Sequence, residues 1–199
     1  MVTAFFNANQ MFIPQLNIIH LPERLDRAEL IKNELIEQGI TNYKIWDGIK
    51  DSSLVCRGIS KAHKQIVQFA KENNFSEVLI GEDDLHFTSK GAFCYFIDNK
   101  PDDFDIFLGG IYYGRLMKDS IVIDFSGLTL YIINKRFYKK FLSMNETEHL
   151  DRALRNSGKF IVCNPMVVIQ HNGFSDNLKK DINYESFLKD RLLFTSKSM

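Results

Sequence analysis

The order of apolar and polar residues divides the chain into strand-length and helix-length pieces. Leu16 to Leu21 is a short apolar run that reads as a strand. Pro22-Glu23-Arg24 breaks it, and the spacing then becomes helical, with Leu30, Ile31, Leu35 and Ile36 on one face. Asp26 reads as the N-cap of that helix, with Glu29 three residues on, and Gly39 as its stop. Tyr43 to Trp46 is a second strand, closed by an Asp47-Gly48 turn. This is a β-α-β unit, the usual start of a parallel sheet.

The alternation continues down the chain. Ser60 reads as the N-cap of a helix that carries Ala62, Ile66, Phe69 and Ala70 on one face. Val78, Leu79 and Ile80 form a buried strand. Gly91 to Ile97 is a short helix and Asp105 to Leu108 a strand. Ile111 to Asp119 is a loop that offers Tyr112, Tyr113 and Arg115 for contacts. Ile121 to Phe125 and Leu128 to Ile133 read as strands, Asn134 caps a helix, and Thr147 begins another that Gly158 ends. Phe160 to Cys163 and Met166 to Gln170 are strands split by Asn164-Pro165, and Gln170 to Asp176 is a polar loop. Beyond Leu178 the chain is lysine-rich and weakly patterned, and Ser196 to Met199 is expected to fray. The expectation is one α/β domain over residues 1–199, with its core at about 16–176 and peripheral segments at 1–14 and 179–199.

Composition narrows the function classes. The 199 residues suffice for one domain with a real core. Lys plus Arg equals Asp plus Glu, 25 each, so no global charge points to nucleic acid or to a membrane surface. Cys56, Cys94 and Cys163 are odd in number and far apart, which fits a reducing, cytoplasmic setting and neither a disulfide framework nor a zinc knuckle. Met1 to Pro14 lacks the basic-then-apolar order of a signal peptide, and no apolar run approaches the ~20 residues of a membrane span.

The chemistry concentrates after the third strand, where Glu82, Asp83 and Asp84 follow Val78 to Ile80 directly. Ligands of open α/β sheets bind outside the carboxyl ends of strands, so these acids are offered to a site. On an extended chain Glu82 and Asp84 point one way and Asp83 the other. Adjacent carboxylates repel, and a hard divalent ion, Mn²⁺ or Mg²⁺, cancels that repulsion. A solvated acidic turn is the plainer alternative. Ser60 and His63, beside Lys61 and Lys64, would form a helix start that favours phosphate. An ordinary capped surface helix is the alternative.

Four segments resemble glycosyltransferase family 25, the lipopolysaccharide-biosynthesis and collagen-galactosyltransferase type. Asn17 to Arg27 is similar to the family's opening "NLxxRxDR", and Gly58 to His63 to its glycine-led "SH" helix start. Leu79 to Asp84 is similar to "IxEDD", and Pro165 to Asp176 to the terminal "P…Q…SD". Gly127 to Lys135 also fits. The resemblance spans about Leu16 to Asp176. It departs from the pattern in a histidine replacing the first segment's asparagine, in Ala62 before the histidine, and in a chain that is short for the family.

The resemblance implies a GT-A-like three-layer sandwich around a mixed, mostly parallel sheet. The implied activity is an inverting, metal-assisted transfer of a hexose such as galactose from a UDP-sugar to a glycan or lipid-linked glycan acceptor, as in lipopolysaccharide biosynthesis. Peripheral membrane contact is compatible with this, and nucleic acid is not an expected partner. Glu82 and Asp84 would hold the ion, with His171 as a third ligand. Asp83 would contact the ribose or a sugar hydroxyl, and these acid roles are interchangeable on the sequence. Arg24, Arg27, Ser60 and His63 would shape the nucleotide pocket. Asp151 would be the catalytic base, with Asp176 a weaker candidate; pairing of Asp151 with Arg152 or Arg155 is the alternative. Two other functions fit the same acids: a non-catalytic nucleotide-sugar-binding protein, or another Mg²⁺-dependent phosphoryl-transfer or hydrolytic enzyme. The chain carries no Walker-type phosphate loop.

Overall fold

The structure, a computed structural model, describes residues 14–188 and 191–195. Both the N-terminal stretch read as lacking a signal peptide, save Pro14, and the tail expected to fray lie outside the described residues. The elements run β1 (Leu16–His20), α1 (Leu25–Glu37), β2 (Tyr43–Asp47), α2 (Val55–Glu72), β3 (Glu77–Glu82), β4 (Leu85–Phe87) and α3 (Ala92–Asp98). They continue with β5 (Ile106–Leu108), β6 (Tyr113–Gly114), β7 (Ile121–Val122), β8 (Phe125–Ser126), β9 (Leu130–Asn134), α4 (Tyr138–Leu142) and α5 (Leu150–Leu154). The last strands are β10 (Phe160–Val162), β11 (Val168–Gln170), β12 (Gly173–Ser175) and β13 (Lys180–Ile182).

Seven strands form the central sheet in the order β2-β1-β3-β9-β5-β10-β7. Strands β2, β1, β3, β5 and β10 share one direction, and β9 and β7 run against them. The expected α/β class with a mixed, mostly parallel sheet is what the chain adopts. Both faces are covered, which explains why the β3 run is apolar at successive positions. Val78 and Ile80 join Ile66, Val67, Tyr131 and Phe141 in one core, under α2 and α4. Leu79 joins Ile18, Ile31, Leu35, Phe96 and Phe107 in the other, under α1 and α3. Neighbouring strand residues feed opposite layers, as the two-residue period of a strand requires.

Several boundaries differ from the sequence reading. Helix α2 starts at Val55, so Ser60 lies inside it and is not a cap. Its lead-in turn is built by Asp51, whose carboxylate accepts from the backbone N–H groups of Ser53 and Leu54. Gly58, at the head of the glycine-led helix start, lies inside α2 at a close approach. A Cβ there would stand 2.2 Å from the Ile49 carbonyl oxygen. Asp26 sits in the first turn of α1 and pairs with Arg24 at 2.7 Å instead of capping. Gly39, at φ +67°, does end that helix, with the Ile40 N–H donating back to Leu35 at 2.8 Å. Asn134 accepts from the Arg136 N–H in a short 3₁₀ turn leading to α4.

The polar segment after β11 is not a plain loop, because β12 within it pairs with β13 as an antiparallel hairpin. Phe194, in the segment read as peripheral, is fully buried and lies 4.6 Å from the Tyr95 ring. Among the described residues no helix is long and apolar enough to cross a membrane.

Candidate active site

The site forms where the parallel strands end. Strand β3 stops at Glu82, and the chain turns through Asp83 and Asp84 before β4. The strand alternation therefore ends one residue too early to separate the acids, and all three line one cleft of about 490 Å³. Asp83 and Asp84 are nearly inaccessible, at 4% and 7% exposure.

Each acid has its own restraint. Asp83 accepts from His20 Nδ1 at 2.7 Å and from Arg27 Nη1 at 3.0 Å. Arg27 also reaches Asp84 Oδ2 at 2.9 Å. Burial alone would lower the Arg27 pKa, but Asp84 and Asp83 together hold it above the ordinary value. Asp84 is pushed up to about 7, first by burial and then by the charge of Glu82. Glu82 accepts from His63 Nε2 at 3.2 Å, and His63 Nδ1 lies 2.9 Å from the Tyr131 hydroxyl. Burial and the Glu82 charge keep Tyr131 protonated. Its O–H therefore donates to Nδ1, which fixes the tautomer that presents Nε2–H to Glu82.

Gln170, to which the sequence reading assigned no role, links the metal candidates. Its Nε2 lies 3.3 Å from both Glu82 Oε2 and Asp84 Oδ1, while its Oε1 is buried without a hydrogen-bond partner among the described residues. Leaving such an acceptor unsatisfied costs about 1–3 kcal/mol. Rotating the amide would turn this oxygen toward two carboxylates, an arrangement that is favourable with a cation between them. The donor set of Glu82, Asp84 and Gln170 is all oxygen and fits Mg²⁺ or Mn²⁺.

The structure brings most of the predicted residues together. Arg24, Arg27, His63, Glu82, Asp83, Asp84 and Asp151 all line the cleft. Arg24 pairs with Asp26 and with Asp176, and the Arg27 guanidinium also donates to the Phe174 carbonyl at 3.3 Å. Arg27 thus ties the β12–β13 hairpin to the acidic turn, and Arg24 ties it to the start of α1. Asp151 accepts from the backbone N–H of Gly127 at 3.2 Å and of Arg152 at 2.8 Å. The side chains of Arg152 and Arg155 turn instead to Asp124 and Glu148. Tyr112, whose phenol pKa burial and then Asp151 raise, covers the cleft with Tyr184 at a ring distance of 5.5 Å.

Two predicted residues fall elsewhere. Ser60 is fully buried inside α2, and its Oγ has no hydrogen-bond partner among the described residues. His171 does not join Glu82 and Asp84. Its ring faces Glu34 and His86, with Nε2 at 3.2 Å from Glu34 Oε1. Strand geometry gives the reason. Gln170 is the last residue of β11 and faces the acids, so its neighbour faces the other side.

No protein-family model and no curated protein sequence matches the chain. Among solved structures it is similar to A197 from STIV, with 13% identity over 85% of this chain and 93% of that one, at TM-score 0.49. It is also similar to a glycosyltransferase involved in the glycosylation of the major capsid of PBCV-1, with 14% identity over 94% and 95% and TM-score 0.45. HddC from Yersinia pseudotuberculosis gives 13% identity over 76% and 90% and TM-score 0.44. The residue roles rest on the geometry of the cleft.

Proposed function

We propose that the chain is a metal-assisted, GT-A-like glycosyltransferase that moves a sugar from a nucleotide-sugar donor to a glycan or lipid-linked glycan acceptor. The observation that carries this reading is the convergence of Glu82 and Asp84 on Gln170 at the carboxyl end of β3, in a cleft of about 490 Å³. That size suits a small-molecule ligand. Glu82, Asp84 and the Gln170 carbonyl would hold Mn²⁺ or Mg²⁺, which supplies Lewis-acid stabilisation of the departing diphosphate. His63 and Tyr131 orient Glu82. Asp83, fixed by His20 and Arg27, is held for a ribose or sugar hydroxyl. Arg24 and Arg27 offer positive charge to the phosphates.

In an inverting reaction Asp151 takes the acceptor hydroxyl's proton while that oxygen bonds to the sugar's anomeric carbon. The bond from that carbon to the diphosphate oxygen breaks, and the diphosphate leaves with the electron pair. A UDP-hexose such as UDP-galactose is the donor that the family resemblance favours, with lipopolysaccharide-type acceptors. The three free cysteines suit a cytoplasmic setting.

One observation favours a second reading, a nucleotide-sugar-binding protein without catalysis. Arg27 already spans Asp83 and Asp84 and offsets their charge without an ion. A thermal-shift panel of nucleotide-sugars with and without Mn²⁺, followed by transfer assays, separates the two. Stabilisation that needs sugar nucleotide and Mn²⁺ together, with turnover lost in Asp84→Asn, is expected. Binding without turnover on any acceptor leaves the second reading, and no binding at all overturns both.

A further inference from the structure

The ring of His171 points into a separate cluster behind the acidic turn. Glu34 comes from the C-terminal part of α1, His86 from β4, and His171 from the residue after β11, where its backbone N–H donates to the Asp84 carbonyl at 2.8 Å. One ligand atom from each of the three lies within 4.8 Å of the other two. His86 Nδ1 is 2.6 Å from Glu34 Oε1, and the two imidazole rings are 4.5 Å apart. The other Glu34 oxygen is fixed by the Phe87 N–H at 2.9 Å, the kind of outer restraint that orients a metal-binding carboxylate.

Hydrogen bonding alone leaves this cluster incomplete. Both histidines address the same carboxylate oxygen. His86 takes it at 2.6 Å, and His171 Nε2 keeps only a 3.2 Å ion-pair contact with it that lacks good hydrogen-bond geometry. A buried ring nitrogen without a well-aligned hydrogen bond is costly.

We propose that Glu34, His86 and His171 form a second metal site, independent of the acidic cleft, that takes a zinc-class divalent ion. Two imidazoles and one carboxylate suit Zn²⁺ or Co²⁺ and disfavour Mg²⁺. An ion about 2.0–2.1 Å from each donor draws the three together. The His86 side chain, 42% exposed, has the freedom to rotate and leaves an open side for a water ligand. The bound ion clamps α1 to the β4–β11 pair and so fixes the residue from which the β12–β13 hairpin departs. Its role is structural: it holds the wall of the cleft without touching the donor.

The test uses the full-length, tag-free chain stripped with chelator and kept in a large excess of Mg²⁺ to compete at the acidic site. Titration with Co²⁺ should add one equivalent with the visible absorption of a four- or five-coordinate ion, and Zn²⁺ should displace it. Asp84→Asn should keep this band. His86→Ala should weaken binding at least tenfold, and His86→Ala with His171→Ala should abolish it. Imidazole NMR of the unaltered protein gives a readout that no variant's folding can obscure: Zn²⁺ should shift the His86 and His171 rings and leave His63 in place. Undiminished Co²⁺ binding in the double variant, or a Zn²⁺ titration that leaves both rings unmoved, overturns the proposal. The Asp84→Asn result keeps its failure distinct from failure of the transferase reading.

Discussion

Arg27 Nη1 stands 2.9 Å from Asp84 Oδ2, so a side chain supplies positive charge to a buried acid of the proposed metal site. Arg27 is itself largely buried and also bonds Asp83, so the pair is shielded from solvent. Replacing Arg27 by glutamine removes the cation that Asp83 and Asp84 share, leaving His20 on Asp83 and the neutral Gln170 on Asp84. Breaking a buried pair in this way costs on the order of 3 kcal/mol. In metal-free buffer Arg27→Gln should therefore melt well below the parent. Added Mn²⁺ should restore more stability to the variant than it gives the parent, because the ion then replaces a lost charge. Differential scanning calorimetry with and without Mn²⁺ measures both. An equal Mn²⁺ response in the two proteins would show that Arg27 and the ion do not share the same acids.

The raised Asp84 pKa makes a prediction with a definite sign. In the unfolded chain Asp84 loses its proton near 3.8; in the fold it holds it to about 7. Between those values the native state binds more protons than the unfolded one, so this residue's contribution to stability falls as pH rises from about 4 to about 7. Above that window the penalty is complete. In chelator-treated protein Asp84→Asn should remove the decline and be more stable than the parent at pH 8. Mn²⁺ should stabilise the parent at pH 8 and act less on the variant. Melting temperature against pH tests this, and parallel curves for the two proteins would count against a strained acid.

The strand and its acids were legible because each depends on local chemistry, whereas Arg24 and Arg27 entered through the family resemblance. An apolar run at Val78 to Ile80 must be buried, and acids directly after it must meet the sheet's carboxyl edge. Glu82 and Asp84 do converge on Gln170, as alternation implies, with Asp83 on His20. What alternation left out is the turn: β3 ends at Glu82, so Asp83 and Asp84 also share Arg27. The same two-residue period, applied at β11, separates Gln170 from His171. The resemblance implies a third ligand from the terminal segment, for which His171 was the candidate, while the adjacent Gln170 is the residue that faces Glu82 and Asp84. Ser60 reads as a cap from its residue type, but α2 already begins at Val55 and runs through Gly58. The glycine is in fact required by a contact with Ile49, a partner that lies outside its own helix.

That contact gives a prediction about the cleft wall. The chain from Gly48 to Ser52 lines the cleft and packs on α2 at Gly58. Alanine at 58 would place its Cβ 2.2 Å from a backbone oxygen, which cannot move aside as a flexible side chain would. Overpacking of this kind costs roughly 1–3 kcal/mol. Gly58→Ala should lower the urea midpoint, and nucleotide-sugar affinity should drop with it because the displaced segment faces the ligand. A variant with unchanged midpoint and affinity would show that the wall adapts freely.

Asp151 separates catalysis from binding most sharply. Its carboxylate lines the cleft, and its protein contacts are with the backbone N–H groups of Gly127 and Arg152, while the nearby arginine side chains engage Asp124 and Glu148. An acid held by one N–H on each oxygen, and not drawn into an ion pair among the described residues, keeps a lone pair free to accept a proton. Asparagine keeps an oxygen acceptor for one of those N–H groups but cannot serve as a base. Asp151→Asn should therefore melt within a few degrees of the parent and bind nucleotide-sugar and Mn²⁺ as tightly. Its transfer rate should fall by about 10²–10⁴, the usual contribution of a general base. A KM-against-kcat comparison decides the matter. A fall confined to kcat places the base at Asp151, whereas a loss of donor affinity with kcat intact would make it a residue of the binding wall.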